Sequence, residues 1–425
     1  DLKNVSAYGH YYLNTDIELT ETWEITVDKI YICLNGHDII GPNGSDTIIV
    51  NNNNQIRLVD CKGDSTDGEY GKITHNSGEN GRGVKVNEGG ILYMYSGAIS
   101  GNTVVGNDTT SAAGGGVWFN GKFYMHGGAI SGNTVEKGNK ESANGGGVFV
   151  DGGTFEMTGG EISKNTAESE GGGVYTRRFT TFNMKGGTIG GESESDANTA
   201  PKGGGVNVYI SYFNMSGGTI SNNKGTDGGG VYVYFLDCNN NMTGGEISQN
   251  TAESGGGVYV YGDGASYKRT FKISDVKISN NKATNGGGIY VNSTIELYEN
   301  AIISGNQATQ EGGGVYEFNG ALKMYGGEIS QNTAAGTGGG IGMGSYYGTV
   351  TMTGGKISQN KGTSGGGVYA GERTFYMSGG TISNNEATTG NGGGVCQTGG
   401  SGTFKMSGGE ISNNTAAGSG GGVQA

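Results

Sequence analysis

Side chains able to do acid–base chemistry are present in this sequence but dispersed. The densest carboxylate groups are Asp60, Asp64, Asp67 and Glu69, and further along Glu192, Glu194 and Asp196. Cleaving a glycosidic bond needs two carboxyl groups flanking the sugar, and Ca²⁺ needs a loop that delivers several oxygens to one point. Neither cluster has the spacing of an EF-hand or a nonapeptide calcium repeat, so both are read as solvated loop charge. His10, His37, His75 and His126 are scattered, and no Gly-x-Ser-x-Gly, His-Glu-x-x-His or phosphate-loop motif occurs. Cys33, Cys61, Cys238 and Cys396 form no Cys-x-x-Cys pair. Cys33 and Cys61 lie about one repeat apart, but aligning Gly36 with Gly63 puts them one residue out of register and on opposite faces. Free or buried thiols are therefore expected. No catalytic residue, metal or cofactor is expected.

Binding chemistry is concentrated in one recurring position. A triple glycine followed by Val or Ile recurs at Val117, Val148, Val174, Val206, Val231, Val258, Ile289, Val315, Ile341, Val368, Val395 and Val423, with a weaker copy at Gly81-Arg82-Gly83-Val84. The residue after each Val or Ile is Trp118, Phe149, Tyr175, Asn207, Tyr232, Tyr259, Tyr290, Tyr316, Gly342, Tyr369, Cys396 and Gln424; eight of these twelve are aromatic. If the Val and the residue two later face inward, the residue between them faces outward, as do Tyr209, Tyr234, Tyr261 and Phe318 two places on. A flat aromatic track, amphipathic through its hydroxyls, would hold a glycan chain or a partner protein. The candidate ligand-binding residues are Trp118, Phe149, Tyr175, Tyr209, Tyr232, Tyr234, Tyr259, Tyr261, Tyr290 and Tyr316, densest around Tyr232, Tyr234, Tyr259 and Tyr261. Aromatic columns also stabilise strands by stacking, which is the competing structural account.

The elements that position this column follow from the period. Anchors 25 to 33 residues apart mark a solenoid. Each unit holds the glycine strand, a second strand such as Phe155-Glu156-Met157 or Phe375-Tyr376-Met377 followed closely by Gly-Gly, and then Ile-Ser-x-Asn, as in Ile162-Ser163-Lys164-Asn165. Three short alternating strands per unit, with no helical periodicity, describe one coil of an all-β, single-stranded parallel β-helix, right-handed by the usual crossover rule. Ten of the eleven methionines end the second strand, with Met343 the exception, as an interior column requires. The recurring Asn is expected to stack as an amide ladder. Residues 1–80 lack the glycine repeat yet alternate like strands, as in Ile30-Tyr31-Ile32-Cys33-Leu34, and are read as a cap plus irregular first coils. The regular coils fill 81–425, giving about 16 coils of about 27 residues. The last coil has only begun at Ala425, so the repeats are expected to continue beyond it.

Charge narrows the partners. The balance of 26 basic against 39 acidic residues gives −13, with no basic block, which argues against nucleic acid and anionic membrane surfaces. No apolar run is long enough to span a bilayer, so direct membrane insertion is not expected of this segment. It opens at Asp1 without a charged-then-apolar leader, so a secretion signal is expected to have been removed or to lie outside it.

Asn-x-Ala followed by Gly-Gly-Gly-Val-Tyr resembles the passenger repeats of chlamydial polymorphic membrane proteins. Ile247-Ser248-Gln249-Asn250-Thr251-Ala252 is the matching stretch, with Ile where that family has Phe and with a third glycine in every copy. The style is also similar to adhesin-like β-helix proteins of gut bacteria and archaea. The resemblance covers residues 81–425 and implies an extracellular, secreted or cell-surface location. It further implies an adhesin-like stalk or binding module for a host or environmental glycan or protein. Parallel β-helices also include polysaccharide lyases and glycoside hydrolases, so a carbohydrate-active enzyme is the alternative.

Overall fold

In the computed structural model, residues 2–62, 70–109, 111–235, 240–262, 270–344 and 347–425 are described. Cys238, Asp64, Asp67 and Glu69 lie outside them. The chain forms a parallel β-solenoid divided into two compact units, Asp1–Thr219 and Ile220–Ala425. Seven first strands, beginning at Trp23, Ile48, Val84, Val117, Val148, Val174 and Val206, belong to the first unit. The second has seven more and the start of an eighth at Val423. About 14 turns are thus complete rather than 16, because two coils, not three, precede Val84.

One coil of the second unit shows why the sequence closes this way. Its strands are Ile289–Asn292, Thr294–Leu297, Ile302–Ser304 and Gln307–Ala308. The fourth strand, not expected from the sequence, pairs with Thr333–Ala334 of the next coil in a ladder of its own. The corner before it is made by the third residue of Ile-Ser-x-Asn, which is left-handed (φ +66° at Gly305, +57° at Gln331). Inward Ile289, Val291, Ile295, Leu297 and Ile303 are at most 1% exposed. Each coil alone cannot bury these residues, so stability comes from its neighbours.

The glycines answer to local geometry. Gly255, first of its triplet, has φ +63°, and a Cβ there would lie 2.4 Å from the Val258 carbonyl oxygen. Later in each coil, Gly355 (φ +85°) receives the ε-methyl of Met324, 2.5 Å from where a Cβ would sit, which explains why Phe-x-Met is followed by Gly-Gly. The Phe residues of the second strand stack in the core of the first unit: Phe123, Phe155 and Phe182 have centroids 5.0 and 4.7 Å apart.

The asparagine ladder is present. In the first unit Nδ2 of Asn102, Asn133 and Asn165 donates to Oδ1 of the next Asn at 2.9 Å. His75 heads this ladder, with Nδ1 2.8 Å from Asn102 Oδ1. In the second unit the chain of amides runs from Asn223 through Asn250, Asn281, Asn306, Asn332, Asn360 and Asn385 to Asn414.

Cys33 and Cys61, expected as free thiols, instead form a disulfide with Cα atoms 5.6 Å apart. The register explains the correction. Cys33 pairs with Val59, so Cys61 is displaced by two residues rather than one and its side chain shares the face. Cys396 is buried and free. The bridge closes a 28-residue separation, which in the loop-entropy account is worth about 3.5 kcal/mol. Cys33→Ser should lower the unfolding free energy of the N-terminal coils by about 2–4 kcal/mol. Non-reducing peptide mapping should recover the 33–61 link; its absence from non-reduced protein would remove the basis for that loss.

Candidate recognition face

The aromatic column is built by the first strand of each coil. Val258 and Val260 point inward, fully buried, and Tyr259 between them points to the outer face. In the first unit the register aligns Lys85, Trp118, Phe149, Tyr175 and Asn207. In the second it aligns Tyr232, Tyr259, Tyr290, Tyr316, Gly342, Tyr369, Cys396 and Gln424.

The column stands where the sequence placed it, but it is less exposed than expected. Phe149, Tyr175, Tyr232, Tyr290 and Tyr316 are 2 to 8% exposed, whereas Tyr209 reaches 39%; Trp118, Tyr234, Tyr259 and Tyr261 are half-buried. Two contacts cover them. The glycine turn of each coil lies against the backbone and Cβ of the aromatic residue; a Cβ on Gly312 would come within 2.7 Å of Tyr316 Cβ. The rings also stack on one another. Centroids are 5.1 Å apart for Phe149–Tyr175 and for Tyr232–Tyr259, and 4.6 Å for Tyr259–Tyr290 with the planes only 6° apart. Tyr234–Tyr261 forms a parallel stack at 5.4 Å, and Phe318 tilts against Tyr290 at 5.7 Å.

Stacking decides what the column can offer. Ring faces are occupied by neighbours, so solvent meets edges and hydroxyl groups rather than flat platforms. Burial pushes the Tyr259 hydroxyl up to about 12, reinforced by Asp227, and moves Tyr175, Tyr290 and Tyr316 in the same direction. These phenols stay protonated over the physiological range and act as hydrogen-bond donors.

Of the carboxylates weighed for catalysis, Asp60 and Asp196 sit in structural roles. Asp60 accepts from the backbone N–H groups of Gly36, Lys62 and Gly71. Asp196 accepts from Ser193 and pairs with Lys164 at 3.3 Å, which hold its carboxyl below the usual range. Outer-face glutamates pair with a lysine of the next coil: Glu156–Lys185 at 2.8 Å, Glu246–Lys277 at 3.1 Å and Glu296–Lys323 at 3.3 Å. Among the described residues no group of three or more His, Cys, Asp or Glu is placed to hold a metal.

A second planar stack, on the outer face of the second strand in the first unit, was not foreseen. His10 stacks on Tyr31 at 4.0 Å, the Arg57 guanidinium lies 5.1 Å from Tyr31 and 4.8 Å from Tyr93, and Tyr93 stacks on Tyr124 at 5.0 Å. Tyr95 and His126 stack beside it at 4.9 Å. Tyr124 follows a triple glycine in its coil and Tyr93 only the weaker Gly81-Arg82-Gly83-Val84; without an anchor, the register that joins His10, Tyr31 and Arg57 was invisible in sequence.

A coil-on-coil stack with an in-register aromatic column on its first strands defines a repeat-built parallel β-solenoid. The Chlamydia polymorphic membrane protein repeat matches residues 275–292, a stretch holding Ile278-Ser279-Asn280-Asn281 and Gly286-Gly287-Gly288-Ile289-Tyr290. No curated protein and no solved structure matches the chain.

Proposed function

We propose that this chain is an adhesin-like, cell-surface β-helix module that binds a glycan or a surface protein through its aromatic edge, without catalysing a reaction. The observation that carries this reading is the in-register aromatic column on a chain that matches a repeat of surface-associated membrane proteins. The Cys33–Cys61 disulfide supports an oxidising, extracellular setting. The paired outer-face glutamates support the absence of catalysis, because a general acid needs a carboxyl group free to exchange its proton.

A glycan array and a mucin pull-down should show binding by the native chain. In the Tyr232→Ala/Tyr259→Ala double variant it should fall about tenfold or more, as expected for losing central hydrogen-bonding aromatic groups. Tyr259→Phe keeps the stack and removes one hydroxyl, separating recognition from mere stabilisation. If neither native nor variant protein binds, the module reading is wrong; release of reducing or unsaturated sugars from polysaccharides would overturn the non-enzymatic part.

A further inference from the structure

The planar stack on the second strand of the first unit leaves its polar edges unused. Its register runs through His10, Tyr31, Arg57, Tyr93 and Tyr124. Arg57 is half-buried, with the Tyr31 ring 5.1 Å to one side and the Tyr93 ring 4.8 Å to the other. Its Nε is sealed from solvent without a partner. Its terminal nitrogens are not sealed, and among the described residues they make no hydrogen bond and no ion pair. The same holds for the hydroxyl groups of Tyr31, Tyr93 and Tyr124, whose side chains are half-buried too. Neighbouring coils occupy the ring faces. The row therefore offers edges: guanidinium N–H groups flanked by phenol O–H groups.

Charge selects the occupant. The chain carries −13, yet none of the five strands that build this row contains a carboxylate. The next residue of the column, Glu156, is held by Lys185 at 2.8 Å. A guanidinium stays charged at any working pH, and its planar fork matches the two oxygens of a carboxylate. Such charge-assisted hydrogen bonds are roughly twice as strong as neutral ones, so a carboxylate gains more here than a sugar hydroxyl. A densely sulfated chain is disfavoured, because one arginine in the column compensates little of the repulsion from the whole protein.

We propose that this row is a subsite for a uronic acid residue within an acidic glycan chain, its carboxylate on the Arg57 guanidinium edge and sugar hydroxyls on Tyr31 and Tyr93. The proposal rests on the module reading for the ligand being a glycan, but the site lies on a different strand from the aromatic column.

Titration calorimetry of the intact chain with an oligogalacturonate and with its methyl ester tests it, because the ester removes the charge and leaves the sugar. The acid should bind, and the ester at least about tenfold more weakly, the worth of a hydrogen bond to a charged group. Arg57→Met keeps an apolar side chain between the rings and should cost as much; Arg57→Lys keeps the charge without the fork and should recover only part of it. Tyr93→Phe keeps the ring beside Arg57 and should weaken binding about threefold, a readout that survives if Arg57→Met does not fold. Ester binding as tight as the acid, unaltered affinity in Arg57→Met, or tighter binding of a sulfated oligosaccharide of the same length would each overturn the assignment. Loss of acid binding in Tyr232→Ala/Tyr259→Ala with Arg57→Met unaffected would move the acidic glycan to the column, overturning this subsite and leaving the module reading intact. No oligogalacturonate binding at roughly 10 mM while array binding persists would do the same; no binding of either kind by any form would remove both.

Discussion

Asn281→Ala should destabilise the coils around it by about 2–4 kcal/mol, and the other fully buried asparagines of the ladder should behave alike. Asn281 is fully buried. Its Nδ2 donates to the Ile247 carbonyl at 2.9 Å and to Asn306 Oδ1 at 3.0 Å. Its Oδ1 accepts from the Asn250 backbone N–H at 2.9 Å and from Asn250 Nδ2 at 3.0 Å. Truncation strands the Asn250 N–H away from water, removes one of the two partners of Asn250 Nδ2, and takes one donor from the Ile247 carbonyl, which stays in the ladder with the next coil. Each stranded buried group costs about 1–3 kcal/mol. Asn281→Asp should be no rescue, since a carboxylate cannot donate to the Ile247 carbonyl or to Asn306. In a solenoid the damage stays near its source, so amide hydrogen exchange should accelerate most in Ile289–Asn292 and Lys277–Ser279. Exchange unchanged at those strands would mean that the ladder contributes little beyond local turn geometry.

This ladder also shows what the sequence revealed and what it hid. Asn recurring at the same place after the second strand in nearly every coil was enough to place an amide stack, because stacking rewards the same polar residue in successive coils. Methionine at the end of the second strand marked the interior for the same reason. The fold class followed from these columns. Registers in the first 80 residues were opaque because no glycine anchored them, and one missed step put Cys33 and Cys61 on opposite faces. The side of the strand on which Tyr259 lies was legible from alternation, since Val258 and Val260 must both be inward. How far it is exposed was not, because exposure depends on ring-on-ring stacking between coils.

Glu317→Met should stabilise the second unit, and increasingly so as pH rises. Glu317 is an inward residue of the strand Val315–Glu317, aligned with Val291 of one neighbouring coil and Met343 of the other. It is fully buried, and neither carboxyl oxygen has a hydrogen-bond partner. Burial pushes its carboxyl up to about 8 from 4.5, a rise only partly offset by the Arg373 guanidinium. The sign follows from comparing folded and unfolded chains. Below about pH 4.5 the group is neutral in both, and no penalty exists. Between 4.5 and 8 the unfolded chain ionises while the folded one stays protonated, so stability drains away as pH rises. Above 8 both are ionised and the penalty is constant, about 3–5 kcal/mol from the size of the shift. Methionine fits the place, since the next coil carries one there, and it removes the titrating group. Urea midpoints of native and Glu317→Met protein should differ least near pH 4 and most near pH 8, with exchange protection of Gly348–Met352 following the same trend. Comparing the two proteins at each pH cancels the titration of every other carboxylate. A stability difference that does not widen between pH 5 and 8 would mean that the carboxyl ionises with water or a partner beside it, and the sealed interior drawn around Glu317 would then be wrong.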